Sequence, residues 1–192
     1  TPVYGPILDA PDHAGCTRDE MELTRRPDGR YVVDFDAFEG TITERTRVFI
    51  LCNPHNPVGR VFQREELERI AEICLRHGIV ICSDEIHCDF LFRGIFHLPI
   101  ARLDAEIAER TITLMAPSKT FNIPGLHFAV GIVPNRELRE KLIAARSGLV
   151  GEPDILSYTA ALAAYRDGQS WLDEVLCYLE ANLDFTLQYV HD

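Results

Sequence analysis

The sequence predicts an α/β fold of three layers, a mostly parallel sheet held between helices. Three observations carry this. Val48–Cys52, Ile79–Cys82 and Thr111–Met115 are short apolar runs of strand length. A segment of helical spacing separates the first two. The connections are short, as in strand–helix–strand units.

The first 45 residues are the least defined. Pro27-Asp28-Gly29 reads as a turn, and a short helix over Val33 to Gly40 follows Asp34. Val48–Cys52 is continuously apolar, as expected of a strand covered on both faces. From Glu65 to His77, Leu67, Ile70, Ala71, Cys74 and Leu75 recur at helical spacing, and Gly78 ends the helix. Ile79–Cys82 and Thr111–Met115 are the second and third strands. His127 to Val133 is a fourth, stopped by Pro134. Asn135 caps a helix to about Arg146, with Leu138, Leu142 and Ile143 on one face. Asp154 to Arg166 forms another helix. Ser170 caps the last, with Asp173 in a capping-box-like position. Its apolar stripe is Leu172, Val175, Leu176, Leu179, Leu183, Leu187 and Val190. No internal repeat or low-complexity segment is present.

Composition narrows the function. The 192 residues carry a net charge of −11, which disfavours nucleic-acid and anionic-lipid partners. At 46% apolar and 26% charged, the chain is ordinary for a globular protein. No apolar run approaches the roughly 20 residues of a membrane-spanning helix, and no signal peptide is read at the start. The six cysteines have no zinc-knuckle or redox-motif spacing; Cys52 and Cys82 read as small buried hydrophobes, and a reduced, cytoplasmic setting is expected. Because the chain opens without Met and stops straight after a helical pattern, it reads as a segment of a longer protein.

In open parallel sheets, ligands bind beyond the carboxyl ends of the strands. Here those ends run into Asn53-Pro54-His55-Asn56-Pro57-Val58-Gly59, Ser83-Asp84-Glu85-Ile86-His87 and Ala116-Pro117-Ser118-Lys119-Thr120-Phe121-Asn122. An amide, a carboxylate and a lysine are thus expected on one rim. A lysine can hold an aldehyde covalently, a carboxylate can keep a pyridine nitrogen protonated, and an amide can donate to a phenolate. Together they describe a pyridoxal 5'-phosphate site. Each alone has an ordinary explanation, as turn, cap or solvated charge. Their succession at three strand ends does not. His77, Cys82, His87 and Cys88 do not converge as metal ligands, so no metal is expected. A nicotinamide site would need a Gly-x-Gly-x-x-Gly turn, which is absent. His55 reads as a loop filler and Trp171 as a packing residue.

On Thr1-Pro2-Val3-Tyr4, Asn53 to Gly59, Ser83 to Asp89, Ser118 to Leu126, and the late Trp171-Leu172 and Tyr178 to Asn182, the sequence resembles the fold-type I pyridoxal phosphate enzymes of the aminotransferase class I/II superfamily. Within it, the likeness is greatest to cystathionine β-lyases of the MalY/PatB type. The resemblance implies Lys119 as the catalytic lysine that binds the cofactor. It implies Asp84 at the pyridinium nitrogen, Asn56 rather than Asn53 at the ring hydroxyl, Tyr4 against the ring, and Ser118 at the phosphate. His87 stands where aminotransferases carry a Tyr at the ring hydroxyl, and the β-lyases share Asp-Glu-Ile-His there. Two departures weaken phosphate binding: Ala116 replaces a Ser three residues before the lysine, and His127 replaces an Arg eight residues after it.

The implied architecture is the enzyme's large domain. Residues 1–170 would be its incomplete core, lacking the N-terminal strands. Residues 171–192 would form a helix leading toward a C-terminal small domain outside the chain. The implied activity is carbon–sulfur β-lysis of L-cystathionine or related cysteine S-conjugates to a thiol, pyruvate and ammonia, in a homodimer. Transamination and a segment without activity of its own remain the alternatives.

Overall fold

A computed structural model describes residues 1–191. In chain order the elements are α1 (Gly5–His13), β1 (Thr24–Arg25), β2 (Tyr31–Val32), α2 (Phe35–Thr41), β3 (Val48–Cys52), α3 (Arg64–Arg76), β4 (Val80–Asp84), α4 (Ala105–Glu109), β5 (Thr111–Met115), α5 (Pro117–Thr120), β6 (Val130–Ile132), α6 (Arg136–Arg146), α7 (Ile155–Asp167) and α8 (Gln169–His191). The main sheet has the order β3-β4-β5-β6. Its first three strands are parallel, with Leu51 opposite Ser83 and Cys52 opposite Asp84, and β6 runs antiparallel to β5. The α/β class and the mostly parallel sheet follow the sequence reading.

Alternation along the strands assigns the two faces. Leu51 and Ile81 meet Leu67, Ile70, Ile73 and Cys74 of α3, with Phe38 of α2, Phe62, Ile100 and Ile107 completing the core. Helix α3 earns its place by its apolar spacing and by a reciprocal cap. The Gln63 side chain receives the N3 backbone N–H, while Glu66 accepts from Gln63 N at 2.9 Å. On the other face, α6 lies over the far strands: a Cβ on Gly131 would meet Leu142 Cδ2 at 3.6 Å and Leu114 Cδ2 at 3.8 Å.

The expected Asn135 cap forms, and Asp34 and Asp154 cap two further helices. Asp34 accepts from Ala37 N at 3.0 Å, Asn135 from Leu138 N at 2.9 Å and Asp154 from Ser157 N at 2.8 Å. Pro27-Asp28-Gly29 turns the small β1–β2 hairpin, where Gly29 takes φ +84°.

Four expectations are corrected. Helix α1 was not read, because Pro6 and Pro11 look like breakers; Pro6 sits in the first turn, where no intrahelical N–H is needed. The fourth strand is only Val130–Ile132. Before it, Pro124–Leu126 form a 3₁₀ turn, and His127 at φ +47° cannot extend the ladder. Ser170 is not the cap of the last helix, since α8 already starts at Gln169, whose side chain donates to Asp173 at 2.8 Å. The strand Val48–Cys52 is not covered on both faces: Val48 is 52% exposed, and Cys82 of β4 is only half-buried. Leu172 of the α8 stripe is buried, whereas Leu183, Leu187 and Val190 are exposed.

Candidate functional site

The parallel register puts three strand ends on one rim. Cys52 lies opposite Asp84, and Asp84 opposite Leu114, one residue before the end of β5. The chain leaves each end differently, and each departure places one of the expected residues.

After β3, the segment 53–60 folds back on itself, with a bridge between His55 and Arg60 and Gly59 at φ +72°. Both Asn53–Pro54 and Asn56–Pro57 are cis. Asn53 is fully enclosed and accepts from Phe62 N at 3.1 Å, so it faces the interior. Asn56 is only half-buried, with its backbone N–H 3.5 Å from Cys52 Sγ. Of the two asparagines, Asn53 lies inside and Asn56 is the one left partly exposed. His55 does more than fill a loop. Its Nε2 lies 2.7 Å from Pro2 O and its Nδ1 3.1 Å from Cys52 O, which ties the segment before Tyr4 to the end of β3. Burial pushes the His55 pKa below its ordinary value, against the raising effect of the two carbonyls. Tyr4 precedes α1 and is 48% exposed.

After β4 the chain makes a tight turn. Asp84 Oδ1 accepts from Ile86 N at 3.2 Å, and the amide of Glu85 bonds Leu114 O of the neighbouring strand at 2.9 Å. Asp84 has no ion-pair partner among the described residues. His87 lies within electrostatic reach of both Asp84 and Lys119. Burial lowers its pKa most, the Lys119 charge lowers it further, and the Asp84 charge opposes both. The imidazole is therefore held neutral at lower pH than a free histidine, with one ring N–H to donate.

After β5, Ala116 enters the short helix α5 through Pro117. Ser118 is half-buried and Lys119 is exposed on this turn. Lys119 forms no ion pair among the described residues. Behind it, buried Thr120 donates to Asp89 Oδ2 at 3.4 Å. Phe121 packs against Tyr165 and Trp171, with ring centroids 5.8 and 6.3 Å away. Trp171 thus packs, as expected, and its partner is the turn that carries the lysine. Gly168 is required there: a Cβ would stand 2.7 Å from the Phe121 ring and 2.4 Å from Ala164 O. His127 and Ala116 leave this turn without the second hydroxyl and the guanidinium that would hold a phosphate.

The turn after β4 also holds a group the sequence reading missed. Glu85 is 1% exposed, and both its oxygens are engaged: Oε1 accepts from Ser83 Oγ at 2.8 Å and Oε2 from His97 Nε2 at 2.8 Å. The signal lay in strand alternation, which points residues 83 and 85 away from 84. The distant partner His97 had no local signature.

The donor set suits a pyridoxal phosphate ring. Among the described residues, a carboxylate and an amine without ion-pair partners share a rim, an imidazole stands within electrostatic reach of both, and an amide and an aromatic side chain come from adjoining loops. A cavity of about 650 Å³ lies elsewhere, between α1, α2 and the outer edge of β3, and none of Asp84, His87 or Lys119 lines it. It is a gap beside an edge strand, so the rim rather than the cavity is the candidate site. Among the described residues no group of three His, Cys, Asp or Glu side chains is arranged for a metal ion, and no helix is long and apolar enough to cross a membrane.

Known proteins are similar in sequence and fold. The chain is 41% identical over 186 residues to cystathionine β-lyase PatB of Bacillus subtilis, covering 95% of the chain and 48% of PatB. The crystal structure of OvoB superposes with a TM-score of 0.95 at 44% identity, over 100% of the chain and 50% of OvoB. Cystalysin from Treponema denticola, a structure containing pyridoxal 5'-phosphate, superposes with a TM-score of 0.94 at 35% identity, over 97% of the chain and 48% of cystalysin. The chain therefore spans about half the length of these relatives. The family model for aminotransferase class I and II matches residues 1–188. With the rim of Asn56, Asp84 and Lys119 set on a sheet these relatives share, the chain belongs to the class I and II aminotransferase family.

Proposed function

We propose that the protein to which this chain belongs is a pyridoxal phosphate-dependent carbon–sulfur β-lyase. Its substrates are L-cystathionine or related cysteine S-conjugates, and its products a thiol, pyruvate and ammonia. The observation that carries the reading is the turn Asp84-Glu85-Ile86-His87, which sets a histidine within reach of both the strand-end carboxylate and Lys119. The 41% identity to a cystathionine β-lyase supports it. So do Ala116 and His127, which replace two phosphate ligands usual in aminotransferases.

Lys119 would hold the cofactor through its aldehyde, Asn56 and His87 would donate to the ring hydroxyl, Tyr4 would cover a ring face, and Ser118 would reach the phosphate. When bound, pyridoxal phosphate supplies an electron sink for the pair left at Cα when its proton departs. Lys119 Nζ takes that proton as general base. Asp84 holds a proton on the pyridine nitrogen, which keeps the sink effective. A neutral His87 donates a hydrogen bond without adding positive charge beside Lys119. The Cα electron pair would then form a Cα–Cβ double bond as the Cβ–S bond breaks, the leaving thiolate would take up a proton, and water would hydrolyse the released enamine to pyruvate and ammonia.

Transamination is the second reading, favoured by the family model itself. It shares proton removal by Lys119 and differs in where the proton returns. The complete protein, incubated with cystathionine, is expected to release pyruvate and a free thiol. If a keto acid forms only when 2-oxoglutarate is added, the β-lyase reading fails. Borohydride reduction followed by peptide mapping is expected to place the cofactor label on Lys119.

The same reading makes residues 1–170 the core of the cofactor-binding domain and residues 171–192 a helix leading toward a smaller domain. The exposed Leu183, Leu187 and Val190 of α8 support this. It also makes the complete protein a homodimer, supported by Ile155, Leu156 and Leu162 exposed along α7 and testable by light scattering. A cytoplasmic setting is supported by six free thiols, among them Cys74 and Cys88, each pushed up to about 12 chiefly by burial.

A further inference from the structure

We infer that the buried chain Ser83–Glu85–His97 is a positioning device that aims the Asp84 carboxylate. The inference rests on the cofactor site proposed above. Ser83 and Glu85 flank Asp84 in sequence, and strand alternation sends their side chains to the helix-covered face while Asp84 points to the rim. Both neighbours are pinned by one carboxylate. Glu85 Oε1 accepts from Ser83 Oγ and Oε2 from His97 Nε2, each at 2.8 Å.

His97 comes from the loop twelve residues later, and its side chain is only 6% exposed. Its Nδ1 is buried with no partner among the described residues. The nitrogen that engages Glu85 is therefore Nε2. Glu85 thus takes two directional contacts, one on each oxygen. A third tie, from the Glu85 amide to Leu114 O, fixes the same residue to β5, four residues before Ser118 in the chain that leads to Lys119.

An apolar pair would fill this space with no desolvation cost. What a buried carboxylate adds is direction. It fixes the backbone on both sides of Asp84, so that the rim carboxylate cannot swing with its turn. Misplacing a reacting group by about 1 Å can cost up to about 100-fold in rate. His97 and Glu85 are buried away from the rim. They act through Asp84.

The test compares His97→Leu with His97→Gln in the complete, cofactor-loaded protein. Leu fills similar space and removes the donor, whereas Gln returns an amide N–H near the position of Nε2. His97→Leu is expected to lower kcat about 10-fold or more with KM changed less than about twofold, and to alter the visible circular dichroism of the bound cofactor. His97→Gln is expected to restore most of both. Should His97→Leu fail to fold, Glu85→Gln and Ser83→Ala are read in its place, with about threefold or greater losses in kcat and the same spectral change expected. Variants that lose thermal stability but keep wild-type kcat and the wild-type cofactor spectrum overturn the inference. A wild-type protein that binds no pyridoxal phosphate overturns the functional reading, and this inference with it.

Discussion

The two faces of the main sheet are built from the same strands but have different surroundings. On one face Leu51, Ile81, Ser83, Thr111 and Thr113 are buried beneath α3 and its neighbours. On the other, Val48 and Leu114 are exposed and Ile50, Val80 and Cys82 are half-buried. Apolar content does not separate the faces, since the exposed side is the more purely aliphatic of the two. What separates them is which helices the chain returns over them. The comparison also explains why neighbouring carboxylates differ. Glu85, on the closed face, is enclosed by two side-chain donors, whereas Asp84, on the other, accepts from the Ile86 amide and has no ion-pair partner among the described residues.

If the rim of the open face is the catalytic side, its residues should dominate activity and those of the closed face stability. The largest effect is expected for Lys119→Ala: turnover of the complete protein falls about 10⁴-fold, and borohydride no longer fixes the cofactor to this peptide. Asp84→Asn keeps the shape and removes the charge. The weakened support for the ring proton is expected to lower kcat about 100-fold, read in a steady-state assay for pyruvate.

The contrast in stability is next. Leu51→Ala removes a core side chain and is expected to cost about 2–5 kcal/mol in urea unfolding. Val48→Ala, three residues earlier on the other face, is expected to stay within about 1 kcal/mol. Equal losses at both positions would erase the distinction between the faces.

The smallest effect concerns pH. His55 is buried and its pKa is depressed below 6.5, so the unfolded chain takes up a proton before the folded one does. Its contribution to stability is complete above 6.5 and is lost as the pH falls below that value toward the lowered folded pKa. His87 has the same sign. The urea midpoint should therefore decline between pH 7.5 and 5, and His55→Gln should flatten that decline. A wild-type and a variant curve of the same slope would contradict burial as the cause.

Much of this site was legible before any coordinates. Strand ends carrying Asn56, Asp84 and Lys119 follow from apolar runs followed by Pro, Asp and a Pro-entered turn, which are local signals. Caps at Asp34, Asn135 and Asp154 are equally local, because each side chain bonds an amide three residues on. The β6 boundary and the start of α8 were misplaced for the opposite reason. A left-handed residue at His127 and a glycine pressed against Phe121 depend on what packs around them.

The sequence by itself determined the class of the fold, the order of the strands along the chain and the residue types waiting at their ends, because hydrophobic period and turn chemistry act over a few residues. Only the tertiary structure decided that β6 turns antiparallel, that one face of the sheet is closed and the other open, that His55 reaches back to Pro2, and that Glu85 closes on His97 across the turn. Those outcomes are set by burial. Whether a side chain is enclosed, and by what, depends on segments that meet only when the chain has folded.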